Sequence, residues 1–313
     1  LHLPVWAVAE VETRLNRALT AAHLPDGAAL SLGGIDLAVD RDLVPRFVLR
    51  DLRLIDGTGR SVLALTEARV ALDPGALVSG QIRPRALRLT GARLAMERDA
   101  EGRLGLSLAG LSGSPGLQDP AQLLDALDRM FAQPALSSLA LVEADALTLT
   151  LSDARAGRVW EVGDGRLVLE NRESGLAAEL SVTLLDGAEP AQARVTIETA
   201  RSDSSARMSA SVSRVAAADL AAQAAPLAAL TLLDAPISGQ LTGELSAGGR
   251  LGRLDAELQL GAGALRPDPD AAPVAFDSAS IALHYDPERQ RVTLGALSVE
   301  SASLRLKAVG HSD

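Results

Sequence analysis

The side chains able to do chemistry are few and widely separated. His2, His23, His284 and His311 show neither an HExxH pattern nor any paired-ligand spacing, so they read as loop or strand-face residues and predict no metal centre. Asp36, Asp40 and Asp42 approach a calcium-loop spacing, but the glycine turn and the closing bidentate acid are missing, which leaves a solvated strand end. Gly113-Ser114-Pro115-Gly116 lacks the strand-to-helix setting of a nucleophile elbow and reads as a linker. Gly33-Gly34, Gly57-Thr58-Gly59 and Gly248-Gly249 have no phosphate-loop lysine and no following helix, so they read as turns. Cysteine is absent, which excludes disulfides and thiolate metal sites. No catalytic residue, metal or cofactor is expected, and the chain is read as not an enzyme.

Composition narrows the function classes further. The 313 residues are 47% hydrophobic and 22% charged, yet only 2% aromatic, so the apolar mass is Leu, Val and Ala. Ring-lined pockets draw on aromatic area, and a smooth aliphatic surface suits this composition better. Met96, Met130 and Met208 are too scattered to make a flexible binding surface. The net charge of −10, with no basic stripe interleaved with aromatics, argues against nucleic acid and against flat docking on anionic lipid. The apolar run from Leu220 to Leu233 contains Gln223 and Pro226 and falls short of the roughly 20 residues that span a bilayer. Leu1 opens directly on an amphipathic stretch without a basic leader region, and the chain stops just after a strand pattern, so it reads as a piece of something longer.

The elements that must carry this surface follow from periodicity. Val8, Val11, Leu15, Ala18, Leu19 and Ala22 recur at three and four, predicting a helix from Pro4 to about Ala22 that ends in the breakers before Gly27. A second helix is expected from Asp119-Pro120 to about Phe131, and a short Ala-rich one from Ala217 to Leu230. Elsewhere about fifteen alternating segments closed by Gly, Asp or Pro read as strands, among them Phe47 to Asp56, Ala86 to Glu97, Leu139 to Leu151, Ile237 to Leu245 and Leu304 to Val309. The apolar phase is odd in Leu87-Arg88-Leu89-Thr90 and even in Ala92-Arg93-Leu94-Ala95-Met96, which predicts a bulge or bend at Gly91.

Because nothing supplies the crossover helices they need, parallel βαβ folds are excluded and an antiparallel meander is left. The expected fold is therefore mainly β: a long curled antiparallel sheet forming an open groove, with an N-terminal amphipathic helix and one or two short helices. The divisions are a capping helix (1–24), a first groove segment (28–110), a loop and helix (111–135) and a second groove segment (136–313). Strands stacked at about 4.8 Å would extend the sheet roughly 70 Å. Alternation puts Leu87, Leu89, Leu94, Met96, Leu147, Leu149, Leu151, Leu304 and Leu306 on the aliphatic phase as the candidate groove lining for lipid chains.

The order of an amphipathic helix and short β-repeats, with Val142–Asp153 leading into Gly157-Arg158-Val159-Trp160 and later Asp234–Leu245, resembles the N-terminal part of the periplasmic region of the AsmA-like superfamily, the YhdP/TamB-type bacterial envelope proteins. The resemblance covers most of the chain. It implies a periplasmic protein anchored to the inner membrane of a Gram-negative bacterium by a helix missing here. It also implies a β-groove that carries phospholipid acyl chains between inner and outer membranes, with envelope proteins meeting the groove ends. The alternative is a non-transporting structural or scaffold element of the cell envelope, built on exposed strand edges.

Overall fold

The computed structural model describes residues 4–21, 29–39, 44–55, 59, 61–81, 83–100, 104–106, 131, 136–154, 156–185, 190–200, 205–221, 225–246, 251–268, 272–302 and 305–312. The class is the expected one: mainly β, on a large sheet that stays open rather than closing into a barrel. Among the described residues there are twenty strands, of which seventeen share one hydrogen-bonded sheet and three form a small separate sheet. The chain divides into two compact units, Leu1–Ala178 and Glu179–Asp313.

Unit 1 begins with helix α1 (Val5–Ala21), as the periodicity predicts. Strands β1 (Ala29–Ser31) and β2 (Gly34–Val39) both pair antiparallel with β3 (Pro45–Ile55), which pairs with β4 (Ser61–Leu72). A short helix α2 (Pro74–Val78) follows, missed in the sequence although Asp73 caps it and Pro74 occupies its first turn. The Asp73 carboxylate accepts hydrogen bonds from the backbone N–H groups of Gly75 and Ala76. Strands β5 (Pro84–Thr90) and β6 (Arg93–Arg98) are two halves of one line, both antiparallel to β4, and β7 (Leu104–Leu106) pairs with the far end of β6.

The expectation of a purely antiparallel meander is wrong at one place. Strand β8 (Leu141–Asp153) runs parallel to both β5 and β6, with Ala86 opposite Leu141 and Arg98 opposite Asp153. A parallel neighbour needs a connection of a dozen residues or more, and the chain between β6 and β8 supplies it. Phe131, the last residue of the expected second helix, is helical, and the rest of that helix lies outside the described residues. Antiparallel order then resumes with β9 (Arg158–Arg172) on β8, and β10 (Gly175–Leu184) on β9.

Strands β3, β4, β5–β6, β8 and β9 all switch phase at the same level. Asp51 (φ 48°), Gly91 (φ 66°), Ala146 (φ 53°) and Asp164 (φ 49°) are all left-handed there. On β3 and β4 the ladder is paired at Arg50↔Glu67 and again at Leu52↔Leu65, while the neighbouring lines resume at Ala64↔Arg93 and at Arg93↔Thr148. Each strand spends one extra residue at this crease, so register survives while the side-chain phase flips together in all of them. Bulges bend strands and raise their twist, so an aligned row bends the sheet of this unit along one line. The bend expected at Gly91 is one member of that row. A Cβ there would lie 2.5 Å from Thr66 Oγ1, which leaves the position to glycine.

In unit 2, β11 (Ala191–Thr199), β12 (Ala206–Ala216), β14 (Pro236–Leu245), β15 (Leu251–Leu260), β18 (Ser278–Asp286), β19 (Arg291–Glu300) and β20 (Arg305–Ser312) pair antiparallel in that order. Between β12 and β14 the chain forms a short helix α3 (Ala217–Ala221), a 3-10 helix (Ala225–Leu232) and β13 (Leu233–Asp234). The expected Ala-rich helix is thus split into two short pieces. Strand β13 joins β16 (Gly263–Leu265) and β17 (Val274–Phe276) in the small sheet. Over one end of the strand face, Ala217, Ala235 and Phe276 bury Ile237, Leu260 and Ala279, the best-defined core of this unit.

Candidate functional site

The aliphatic stripe of unit 1 follows from register. Three rows run directly across β6, β8 and β9: Leu94, Leu149 and Val162; Met96, Leu151 and Trp160; and Arg98, Asp153 and Arg158. Across the crease, Leu87 stands opposite Val142 and Leu89 opposite Ala144. The same face continues onto β4 and β3 through Ala68 and Val70, then Leu49 and Phe47. The opposite face carries a network of ion pairs: Arg50 to Asp36 at 2.7 Å and to Glu67 at 3.5 Å, Arg69 to Glu67 at 2.6 Å, and Arg88 to Glu143 at 2.6 Å. The hydrogen bond and charge of Asp36 hold the Arg50 pKa above its ordinary value. One side is therefore aliphatic and the other wet, as alternation requires of a sheet solvated on one face.

Coverage of the aliphatic face is uneven. At the end nearest the crossover, Phe131, Leu136 and Leu139 pack over Leu87, Val142, Leu169 and Leu176. In the middle, Leu52, Leu65 and Ala92 are buried, with Leu30, Leu32, Leu89 and Leu147 packed against them. Beyond the crease, Leu94, Met96, Leu149 and Leu151 are half-buried and belong to no buried cluster among the described residues. The structure thus brings Leu87, Leu89, Leu94, Met96, Leu147, Leu149 and Leu151 onto one continuous face. Leu306 lies in unit 2 on β20, opposite Val299 in the apolar phase and 44% exposed. Leu304 lies outside the described residues.

Unit 2 presents an apolar face of its own. Gly239, Leu258, Ile281, Leu297 and Ala308 stand in one row, and Leu241, Ala256, Leu283 and Leu294 in the next. On the wet side, the His284 ring nitrogen Nδ1 lies 2.5 Å from Asp255 Oδ1, with both side chains well exposed. That histidine therefore belongs to a solvated side-chain hydrogen bond. Among the described residues no group of three His, Asp or Glu is close enough to hold a metal, and no helix is long and apolar enough to cross a membrane.

The terminal row of the unit 1 stripe is polar, and sequence reasoning missed it. The Asp153 side chain is fully buried. It accepts hydrogen bonds from Trp160 Nε1 at 3.1 Å, from the Ala156 backbone N–H at 3.0 Å, and from Arg98 Nη1 at 3.3 Å. Burial pushes its pKa up, but the Ala156 and Trp160 hydrogen bonds and the Arg98 charge outweigh that, and the carboxyl titrates below its ordinary range. The Arg158 guanidinium sits over the Trp160 ring, 4.0 Å from its centroid. The available signal was a charge on an apolar phase: Arg98 after Leu94 and Met96, Asp153 after Leu149 and Leu151, and Arg158 before Trp160 and Val162.

These features define an open β-sheet protein with a partly uncovered aliphatic face that ends in an arginine–aspartate row. Compared with known proteins, the chain matches no family model, no curated protein and no solved structure.

Proposed function

We propose that the aliphatic face holds the acyl chains of phospholipids, as a lipid-carrying segment of AsmA-like type working between the inner and outer membranes of a Gram-negative envelope. One observation carries this reading. The rows through Leu94, Leu149 and Val162 and through Met96 and Leu151 are aliphatic, contiguous and half-buried, with no second layer packed over them among the described residues. Apolar side chains in that state gain by meeting other apolar matter, at about 0.8 kcal/mol for each methylene removed from water. No single contact is tight, so a chain held this way can slide along the rows. Burying Trp160 beside Leu151 at the end of the stripe gives the face a built-in reporter.

Brominated acyl chains quench tryptophan only at short range, and Trp160 is the sole tryptophan left once Trp6 is replaced by Phe. Titrating that variant with a brominated phospholipid is expected to quench Trp160. Adding Leu149→Asp is expected to abolish the quenching while leaving the far-ultraviolet circular dichroism unchanged. Unquenched Trp160 in the Trp6→Phe parent would contradict the reading and favour a scaffold role.

A further inference from the structure

The apolar face of unit 2 has two chemically unlike ends. At one end the row Ile237, Leu260 and Ala279 lies under Ala217, Ala235 and Phe276, and Leu258 and Ile281 of the next row pack against that cluster. Leu220, Leu230 and Leu233 pack on it as well, so this end is closed and every side chain in it is apolar. One row farther from the cluster, Leu241, Leu283 and Leu294 are half-buried and belong to no buried cluster among the described residues. The row after that holds Leu254, Tyr285 and Val292. Tyr285 is the only tyrosine of the chain and is half-buried on the same phase as Ile281 and Leu283. Its hydroxyl has no hydrogen-bond partner among the described residues. Just beyond it, the β18–β19 turn exposes Glu288 and Arg289 to solvent. Ile281 and Tyr285 are four residues apart on one strand, a span of about 13 Å at the usual strand rise.

We infer that unit 2 binds a phospholipid acyl chain in one polarity, with the methyl end against the Phe276 cluster and the ester carbonyl at the Tyr285 hydroxyl, an inference that rests on the acyl-chain reading above. The chain lies along the strands, because the two ends differ in that direction while each row across them is aliphatic throughout. A reversed chain would press its ester into the closed end, where no side chain donates a hydrogen bond, and would leave the Tyr285 hydroxyl without an acceptor. Burying an unsatisfied carbonyl is costly, and a few placed polar groups fix orientation in sites that are otherwise apolar. The occupant is therefore an amphiphile with a single polar end, whose headgroup lies beyond Tyr285 at the charged β18–β19 turn. The short helix α3, the 3-10 helix and the small sheet act together as the stop for the methyl end.

The test adds one tryptophan to the full chain carrying Trp6→Phe: Leu297→Trp in the row of Ile281, or Val292→Trp in the row of Tyr285. The probes are dodecanoyl lysophosphatidylcholines below their micelle-forming concentration, brominated either beside the ester or at the methyl end. Quenching in excess of the Trp6→Phe parent reports unit 2, because Trp160 lies in unit 1. The methyl-end bromide is expected to quench the Leu297→Trp variant more strongly than the Val292→Trp variant, and the ester-end bromide to reverse that order. Tyr285→Phe removes one hydrogen bond and is expected to weaken binding about fivefold. Equal quenching of both variants by both probes, or the opposite order, overturns the polarity while leaving an acyl chain on this face. An unchanged affinity in Tyr285→Phe overturns the placement of the ester. Free bromododecanoate binding more tightly than the lysophospholipid shows a fatty-acid site and overturns the phospholipid assignment. No excess quenching in either variant removes the unit 2 site, and the reading of unit 1 then stands or falls on Trp160 in the parent.

Discussion

Gly91→Ala tests whether the crease across unit 1 is a built feature of the sheet. The new methyl meets two obstacles. At φ 66° an alanine pays about 1–2 kcal/mol for the left-handed conformation. Its Cβ also lies 2.5 Å from Thr66 Oγ1 and 3.1 Å from Thr66 Cβ. Rotating the hydroxyl away relieves the first contact at about 1 kcal/mol for an off-rotamer side chain, and the second demands a small strand shift. Alanine stiffens the unfolded chain and returns about 0.5 kcal/mol, so the net loss is about 2 kcal/mol. Urea unfolding followed by tryptophan fluorescence reads unit 1 alone, because both tryptophans, Trp6 and Trp160, lie in it. In a Thr66→Ala background the hydroxyl contact is gone and the penalty drops to about 1 kcal/mol, leaving a coupling of about 1 kcal/mol between the two positions. A Gly91→Ala loss under 0.5 kcal/mol, or the same loss in both backgrounds, would refute the close approach and the left-handed backbone it depends on.

Asp153→Ala removes the buried carboxylate that accepts from Arg98 and Trp160 and is expected to cost about 3 kcal/mol in the same assay. The pH dependence has a defined sign. The folded-state pKa of Asp153 is lowered, so its stabilisation is present above the unfolded carboxylate value of about 3.9 and is lost as pH falls through the folded value. Asp153→Asn is therefore expected to narrow the stability gap to wild type below about pH 4 and widen it at neutrality, as urea midpoints across pH would show. In unit 2, Ile237 is fully buried among Ala217, Leu260 and Phe276, so Ile237→Val is expected to lose about 1 kcal/mol and Ile237→Ala about 3, measured by thermal unfolding.

Much of this fold was legible because strand periodicity is a local signal. Alternation placed Leu147, Leu149 and Leu151 opposite Thr148 and Thr150, and register puts the three leucines on the aliphatic face with Leu94 and Met96. The flip at Gly91 showed because glycine is conspicuous, whereas the matching flips at Asp51, Ala146 and Asp164 were hidden in ordinary residues whose left-handed φ has no compositional mark. The parallel pairing of β8 with β5 and β6 was invisible for a different reason. Which edge a strand joins is decided by the path of a long connection, and nothing inside Leu141–Asp153 encodes it. The Arg98, Asp153 and Arg158 row was missed because residues 55 positions apart had to be placed side by side before their charges formed a pattern.

Lipid extraction coupled to native mass spectrometry, on protein purified from a bacterial envelope without added detergent lipid, tests the acyl-chain reading most directly. The half-buried Leu149 sits on the aliphatic face and the exposed Thr150 beside it on the wet face, so Leu149→Asp and Thr150→Asp place the same charge on opposite sides of one strand. Phospholipid bound to the wild type and to Thr150→Asp but depleted from Leu149→Asp is the predicted result. A wild-type protein free of lipid, or equal occupancy in the two variants, would contradict it.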